Sequence, residues 1–119
     1  MFYIKVKGSF SAAHNLKNYK GKCEHLHGHN WAVEALFAYD TLDKDGMAVD
    51  FKLAKKMLKS VTEKLDHSYL NKSGLVKKIN PTSENIARLI YGLIKKKNGH
   101  IKSVSVWENE SSCAIYTEE

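Results

Sequence analysis

The chain has 119 residues, which is room for one domain and little more. Its 43% hydrophobic and 27% charged residues, with one Pro and seven Gly, exclude a disordered, low-complexity or collagen-like polymer. Nineteen Lys and Arg against thirteen Asp and Glu give a net charge of +6, which favours an anionic partner, yet only Arg88 is an arginine, which counts against nucleic acid.

Phe2, Ile4 and Val6 alternate with Tyr3, Lys5 and Lys7, the pattern of a half-buried strand that runs on through Phe10 towards His14. Residues 15–28 read as a loop. A second strand is expected from His29 to Tyr39, with Trp31, Val33, Ala35, Phe37 and Tyr39 on one face. The segment 40–46 reads as a turn; its Asp43 and Asp45 lack the glycine position and terminal Glu of a calcium loop. Phe51, Ala54, Met57, Leu58, Val61 and Leu65 predict a helix over 51–66, capped by Asp50. Thr82 or Ser83 caps a second helix bearing Ile86, Leu89, Ile90, Leu93 and Ile94, and Asn98-Gly99 ends it. Two short strands follow, over about 101–108 and 112–118.

This order, strand-strand-helix-helix-strand-strand, implies an α+β domain spanning 1–119: a four-stranded antiparallel sheet with both helices on one face. Its two open edges favour closure by symmetric association. No apolar run approaches the ~20 residues of a membrane helix, and the N-terminus lacks a signal-peptide pattern. Two cysteines, Cys23 and Cys113, are too few for a disulfide scaffold, so a cytoplasmic protein with reduced thiols is expected.

The stretch Cys23-Glu24-His25-Leu26-His27-Gly28-His29 carries the chemistry. His27 and His29 are two apart at the start of a strand and share a face. His14 ends the strand expected to pair with it. Three neutral imidazoles make a Zn²⁺ site with an open fourth position. His25 has the same period-two spacing to His27, so spacing alone admits it as a ligand. Gly28 leaves the backbone free to turn. Asp66 beside His67 can orient an imidazole, and with Cys23 the trio has the parts of a thiol acid–base relay; the alternative is a polar helix end. Glu108 follows Val104 and Val106 on an apolar strand face, where a carboxylate needs a partner such as the two N–H donors of a pterin or guanine edge, unless it meets water.

The ordered set Phe10-Ser11-Ala12-Ala13-His14, Cys23-x-x-x-His27-Gly28-His29, Val49-Asp50-Phe51, Leu65-Asp66-His67-x-Tyr69-Leu70-Asn71, Pro81-Thr82-Ser83-Glu84-Asn85 and Glu108 resembles the 6-pyruvoyltetrahydropterin synthase family. The three-residue gap between Cys23 and His27 resembles the bacterial 6-carboxytetrahydropterin synthase branch. The resemblance implies the tunnelling fold, with three subunits closing a barrel, two rings stacking into a hexamer, and active sites between subunits. It implies Zn²⁺ on His14, His27 and His29, without His25. It assigns Cys23 as proton acceptor, His67 and Asp66 as its relay, Glu108 as the pterin anchor, and Thr82 and Ser83 to the neighbourhood of the ring. The implied substrate is 7,8-dihydroneopterin triphosphate. The implied product is 6-carboxy-5,6,7,8-tetrahydropterin, formed with loss of triphosphate and acetaldehyde on the way to 7-deazapurines such as queuosine. A 6-pyruvoyl-forming or other side-chain-cleaving relative is the alternative enzyme. A basic, zinc-stabilised nucleic-acid-binding module is the alternative outside enzymes.

Overall fold

The computed structural model of the protein describes residues 1–18, 20 and 25–119. Strands β1 (Phe2–His14) and β2 (His27–Tyr39) are followed by helix α1 (Phe51–Thr62), a two-residue strand β3 (Ser68–Tyr69) and a 3-10 turn over Leu70–Lys72. Helix α2 (Ser83–Lys95) and strands β4 (Ile101–Trp107) and β5 (Cys113–Thr117) complete the order. The sheet therefore has five strands, in the order β3-β1-β2-β4-β5, where four were expected. The additional strand, β3, pairs parallel to β1 through Ala12 with Ser68 and Ala13 with Tyr69. Two residues are too short to carry an alternation, so β3 leaves no periodic signal.

β1 and β2 form an antiparallel ladder that runs unbroken from Phe2 opposite Tyr39 to His14 opposite His27. Opposite residues share a face, so the even positions of β1 and the odd positions of β2 point the same way. Val6, Phe10, Trp31, Val33, Ala35 and Phe37 are buried on that face. The helices cover the same side: a Cβ on Gly8 would lie 3.2 Å from Leu58 of α1, and the Tyr91 hydroxyl of α2 meets the Ile101 carbonyl. α1 contributes Ala54, Leu58 and Val61 to the core, and α2 contributes Ile86, Ile90 and Ile94. Full burial of each leucine, isoleucine or valine among these favours folding by about 1.5–3 kcal/mol before entropy is counted. On the other face of the sheet Lys5 and Lys7 stand exposed, paired with Glu34 at 3.4 and 4.0 Å.

A bulge between Leu36 and Phe37 sets Ile101 rather than Lys102 opposite Phe37. It lets Ile101 and Val104, three apart in sequence, both face the helices. Asp50 caps α1 by accepting from the Lys52 N–H. α1 stops at Thr62, four residues before the expected end, because the N–H groups of Lys64 and Leu65 tighten onto the Val61 and Thr62 carbonyls. His67, at φ +53°, then reverses the chain. Thr82, not Ser83, caps α2, accepting from the Asn85 N–H. In the turn at 40–46, Asp43 Oδ1 accepts from the Asp45 and Met47 N–H groups. Among the described residues, no helix is long and apolar enough to cross a membrane.

Candidate active site

The β1–β2 register builds the site. His14 lies directly opposite His27, and His29, opposite Ala12, is its diagonal neighbour on the same face. The Nε2 atoms of His14 and His27 are 3.2 Å apart. One ligand nitrogen from each of the three histidines lies within 4.8 Å of the others. His14 is buried; His27 and His29 are half-buried. Gly28, between the two ligands of β2, is an ordinary strand residue and makes no turn.

The backbone behind the imidazoles decides their tautomers. His14 Nδ1 lies 2.8 Å from the Pro81 carbonyl, and His27 Nδ1 lies 2.8 Å from the His25 carbonyl. A carbonyl only accepts, so each Nδ1 carries the proton and each neutral ring turns its Nε2 lone pair inward. Two lone pairs facing at 3.2 Å repel unless a cation lies between them. The edge of a tetrahedron with arms of ~2.05 Å is about 3.3 Å, so His14 and His27 have the spacing of two ligands on one divalent ion, with the His29 nitrogen within 4.8 Å as a third donor. His25 contributes its carbonyl to this arrangement, and its exposed side chain is not among the three clustered imidazoles. Trp31 forms the floor, edge-on to His14 and His29 at ring separations of 4.8 and 5.5 Å, with its indole N–H donated to the Ala12 carbonyl.

Glu108 lies immediately past β4, at the rim of the histidine cluster. Its Oε1 is 3.9 Å from His14 Nε2 and its Oε2 is 3.8 Å from His29 Nε2. The Ser83 hydroxyl donates to Oε1 at 3.1 Å. Glu108, Thr82, Ser83 and Cys113 all border one open cleft of about 570 Å³. The Thr82 hydroxyl oxygen is engaged by its capping bond, so Ser83 is the residue of the pair that touches Glu108.

Asp66 and His67 lie together on the far side of β1. Asp66 Oδ1 accepts from the Ser11 N–H at 2.8 Å, and Oδ2 is 3.4 Å from His67 Nε2. The His67 N–H donates to the Ser11 carbonyl at 2.6 Å, while its side chain is 84% exposed. His67 borders a shallow depression of about 370 Å³ that is shared with Ser11, Gly28, His29 and Asn30. Cys23, the expected proton acceptor, lies outside the described residues. Sequence reasoning missed the Pro81 carbonyl, the Trp31 floor and the Ser83–Glu108 bond. The Pro-Thr-Ser run at the start of α2 is the one signal the sequence offers for them: Thr82 caps the helix, while the Pro81 carbonyl and the Ser83 hydroxyl reach the site.

The family model described as 6-pyruvoyl tetrahydropterin synthase matches residues 3–119. The chain is 38% identical over 123 residues to the 6-carboxy-5,6,7,8-tetrahydropterin synthase of Synechocystis sp., covering 98% of this chain and 93% of the relative. It is 37% identical over 108 residues to the dihydroneopterin monophosphate aldolase of Pyrococcus furiosus, covering 88% of each. The structure of Caenorhabditis elegans 6-pyruvoyl tetrahydropterin synthase superposes with a TM-score of 0.87 at 27% identity, over 99% of this chain and 96% of that one. The chain therefore belongs to the 6-pyruvoyl tetrahydropterin synthase family and is an enzyme of that family.

Proposed function

We propose that the protein is a zinc-dependent pterin side-chain lyase. It converts 7,8-dihydroneopterin triphosphate and one water into 6-carboxy-5,6,7,8-tetrahydropterin, acetaldehyde and triphosphate, a step towards queuosine-type 7-deazapurines. The observation that carries this reading is the cluster of His14, His27 and His29 with Glu108, aimed by Ser83, at its rim. That arrangement sets a cation site beside a carboxylate acceptor that borders an open cleft. The named activity of the Synechocystis relative supports the choice of product.

Zn²⁺ bound by the three histidines would supply Lewis acidity towards the side-chain oxygens of the substrate. The Pro81 and His25 carbonyls hold two of the imidazoles in the ligating tautomer. Glu108 accepts two N–H bonds from the amidine-like edge of the pterin, and Ser83 fixes the carboxylate for that contact. Cys23 takes a proton from the side chain as thiolate. Asp66 orients His67 as the proton relay partner of Cys23. The exposure of the His67 side chain in the single chain fits a site completed by a neighbouring subunit. We place residues 1–119 as one catalytic domain of a cytoplasmic homohexamer, a dimer of trimers, whose ring closure would also cover the sheet edges at β3 and β5.

A second reading, aldol cleavage of the side chain of the corresponding monophosphate, is supported by the Pyrococcus relative, which matches 88% of this chain at 37% identity. Mass spectrometry after separate incubations with 7,8-dihydroneopterin triphosphate and with the monophosphate separates the two. A carboxyl group at ring position 6, with acetaldehyde released, is the expected result. A hydroxymethyl group there would replace this reading with the aldolase one.

A further inference from the structure

β1 loses its ladder partner at His14, because β2 begins opposite it at His27. Beyond that point two asparagine side chains pair with the chain in the manner of a strand edge. Asn71 Oδ1 accepts from the Asn15 N–H at 3.0 Å, and Asn71 Nδ2 donates to the Asn15 carbonyl at 2.8 Å. Asn80 repeats this two residues on, with Oδ1 accepting from the Lys17 N–H at 2.7 Å and Nδ2 donating to its carbonyl at 3.2 Å. The Tyr69 hydroxyl adds a bond to Asn15 Oδ1 at 2.6 Å. The Asn15 backbone is thus held on both its polar groups by one side chain, directly after the buried ligand His14.

The clamp is continuous with the segment bearing Asp66 and His67. Asp66 holds the Ser11 N–H, and Ser68 and Tyr69 pair with Ala12 and Ala13. Residues 66–71 therefore run beside residues 11–15 and fix the backbone on both sides of His14. A metal ligand needs its ring held in place before the ion arrives, and partners behind the ligand contribute to affinity for that reason.

We infer that Asn71 is a positioning residue for metal binding: its amide, bonded to both polar groups of Asn15, holds His14 in the ligating geometry and ties the metal site to the Asp66–His67 segment. The inference rests on the metal-site reading above.

The test is Co²⁺ titration of the full chain, read by its visible absorption and by competition with Zn²⁺. The variants are Asn71→Ala, Asn71→Asp and Leu58→Ala, each with its melting temperature. Asn71→Ala should weaken metal affinity about 10- to 100-fold and alter the Co²⁺ band. Asn71→Asp should do no better, because it sets a carboxylate oxygen against the Asn15 carbonyl. Leu58→Ala empties part of the core and should lower the melting temperature while leaving metal affinity near the wild-type value. Wild-type affinity and spectrum in either Asn71 variant would overturn the inference. So would an equal loss of affinity in Leu58→Ala, since affinity would then follow global stability. A wild-type chain that binds neither metal would overturn the metal reading itself, and this one with it.

Discussion

Ser83 donates its hydroxyl hydrogen to Glu108 Oε1 across 3.1 Å, joining the first residue of α2 to the residue just past β4. The bond turns a strand-end carboxylate, which alone would swing in water, into a directed acceptor at the edge of the histidine cluster. A hydrogen bond to a charged group contributes about 1.5–3 kcal/mol where it is buried. Glu108 is 30% exposed, so about 1 kcal/mol is the reasonable expectation here. Ser83→Ala should therefore raise KM about fivefold with little change in kcat, and Glu108→Ala should raise it further. Steady-state kinetics on the dihydropterin substrate checks this; an unchanged KM in Ser83→Ala would remove the aiming role.

Cys23→Ala should separate chemistry from metal binding. If Cys23 accepts the proton, its loss should lower kcat by about 10²- to 10⁴-fold, the usual contribution of a positioned base. Bound zinc should stay near one per chain. A variant that loses metal together with activity would move Cys23 from base to ligand.

The long elements were legible because their periods were long. Thirteen-residue alternation in β1 and the 51–66 stripe left little choice of element. The histidine cluster was legible for the same reason: once β1 and β2 pair, His14 falls opposite His27. What escaped was local and polar. β3 has two residues, and its pairing depends on the reversal at His67 and on the Asp66 carboxylate reaching the Ser11 N–H. The Pro81 carbonyl behind His14 and the Asn71 clamp join residues more than fifty apart, and no spacing rule connects such positions.

Glu118 couples the C-terminal segment to α2. It accepts from Lys95 Nζ at 2.5 Å and from the Tyr116 hydroxyl at 3.1 Å. These bonds, with Lys95 first, hold its carboxyl below the ordinary range. A depressed acid favours the folded state above its unfolded pKa, and the contribution is lost as pH falls through the folded value. Glu118→Gln should therefore melt slightly below wild type at neutral pH, and the two curves should converge in acid below the usual carboxylate range. A difference that persists unchanged in acid would show that the charge is not responsible.

His14 offers the strictest test of the metal site, because it can be read without substrate. An ion that binds only the folded chain stabilises it in proportion to the logarithm of its concentration over Kd, about 4 kcal/mol at a thousandfold excess. Chelation should lower the wild-type melting temperature by several degrees and abolish turnover, and added Zn²⁺ should restore both. His14→Ala removes one of the three nitrogens and leaves the Pro81 carbonyl without the imidazole N–H. Its melting temperature should be lower than that of the chelated wild type and should barely respond to Zn²⁺. A full zinc-induced shift in His14→Ala would mean that the ion is held elsewhere, and the assignment of His14, His27 and His29 would fail.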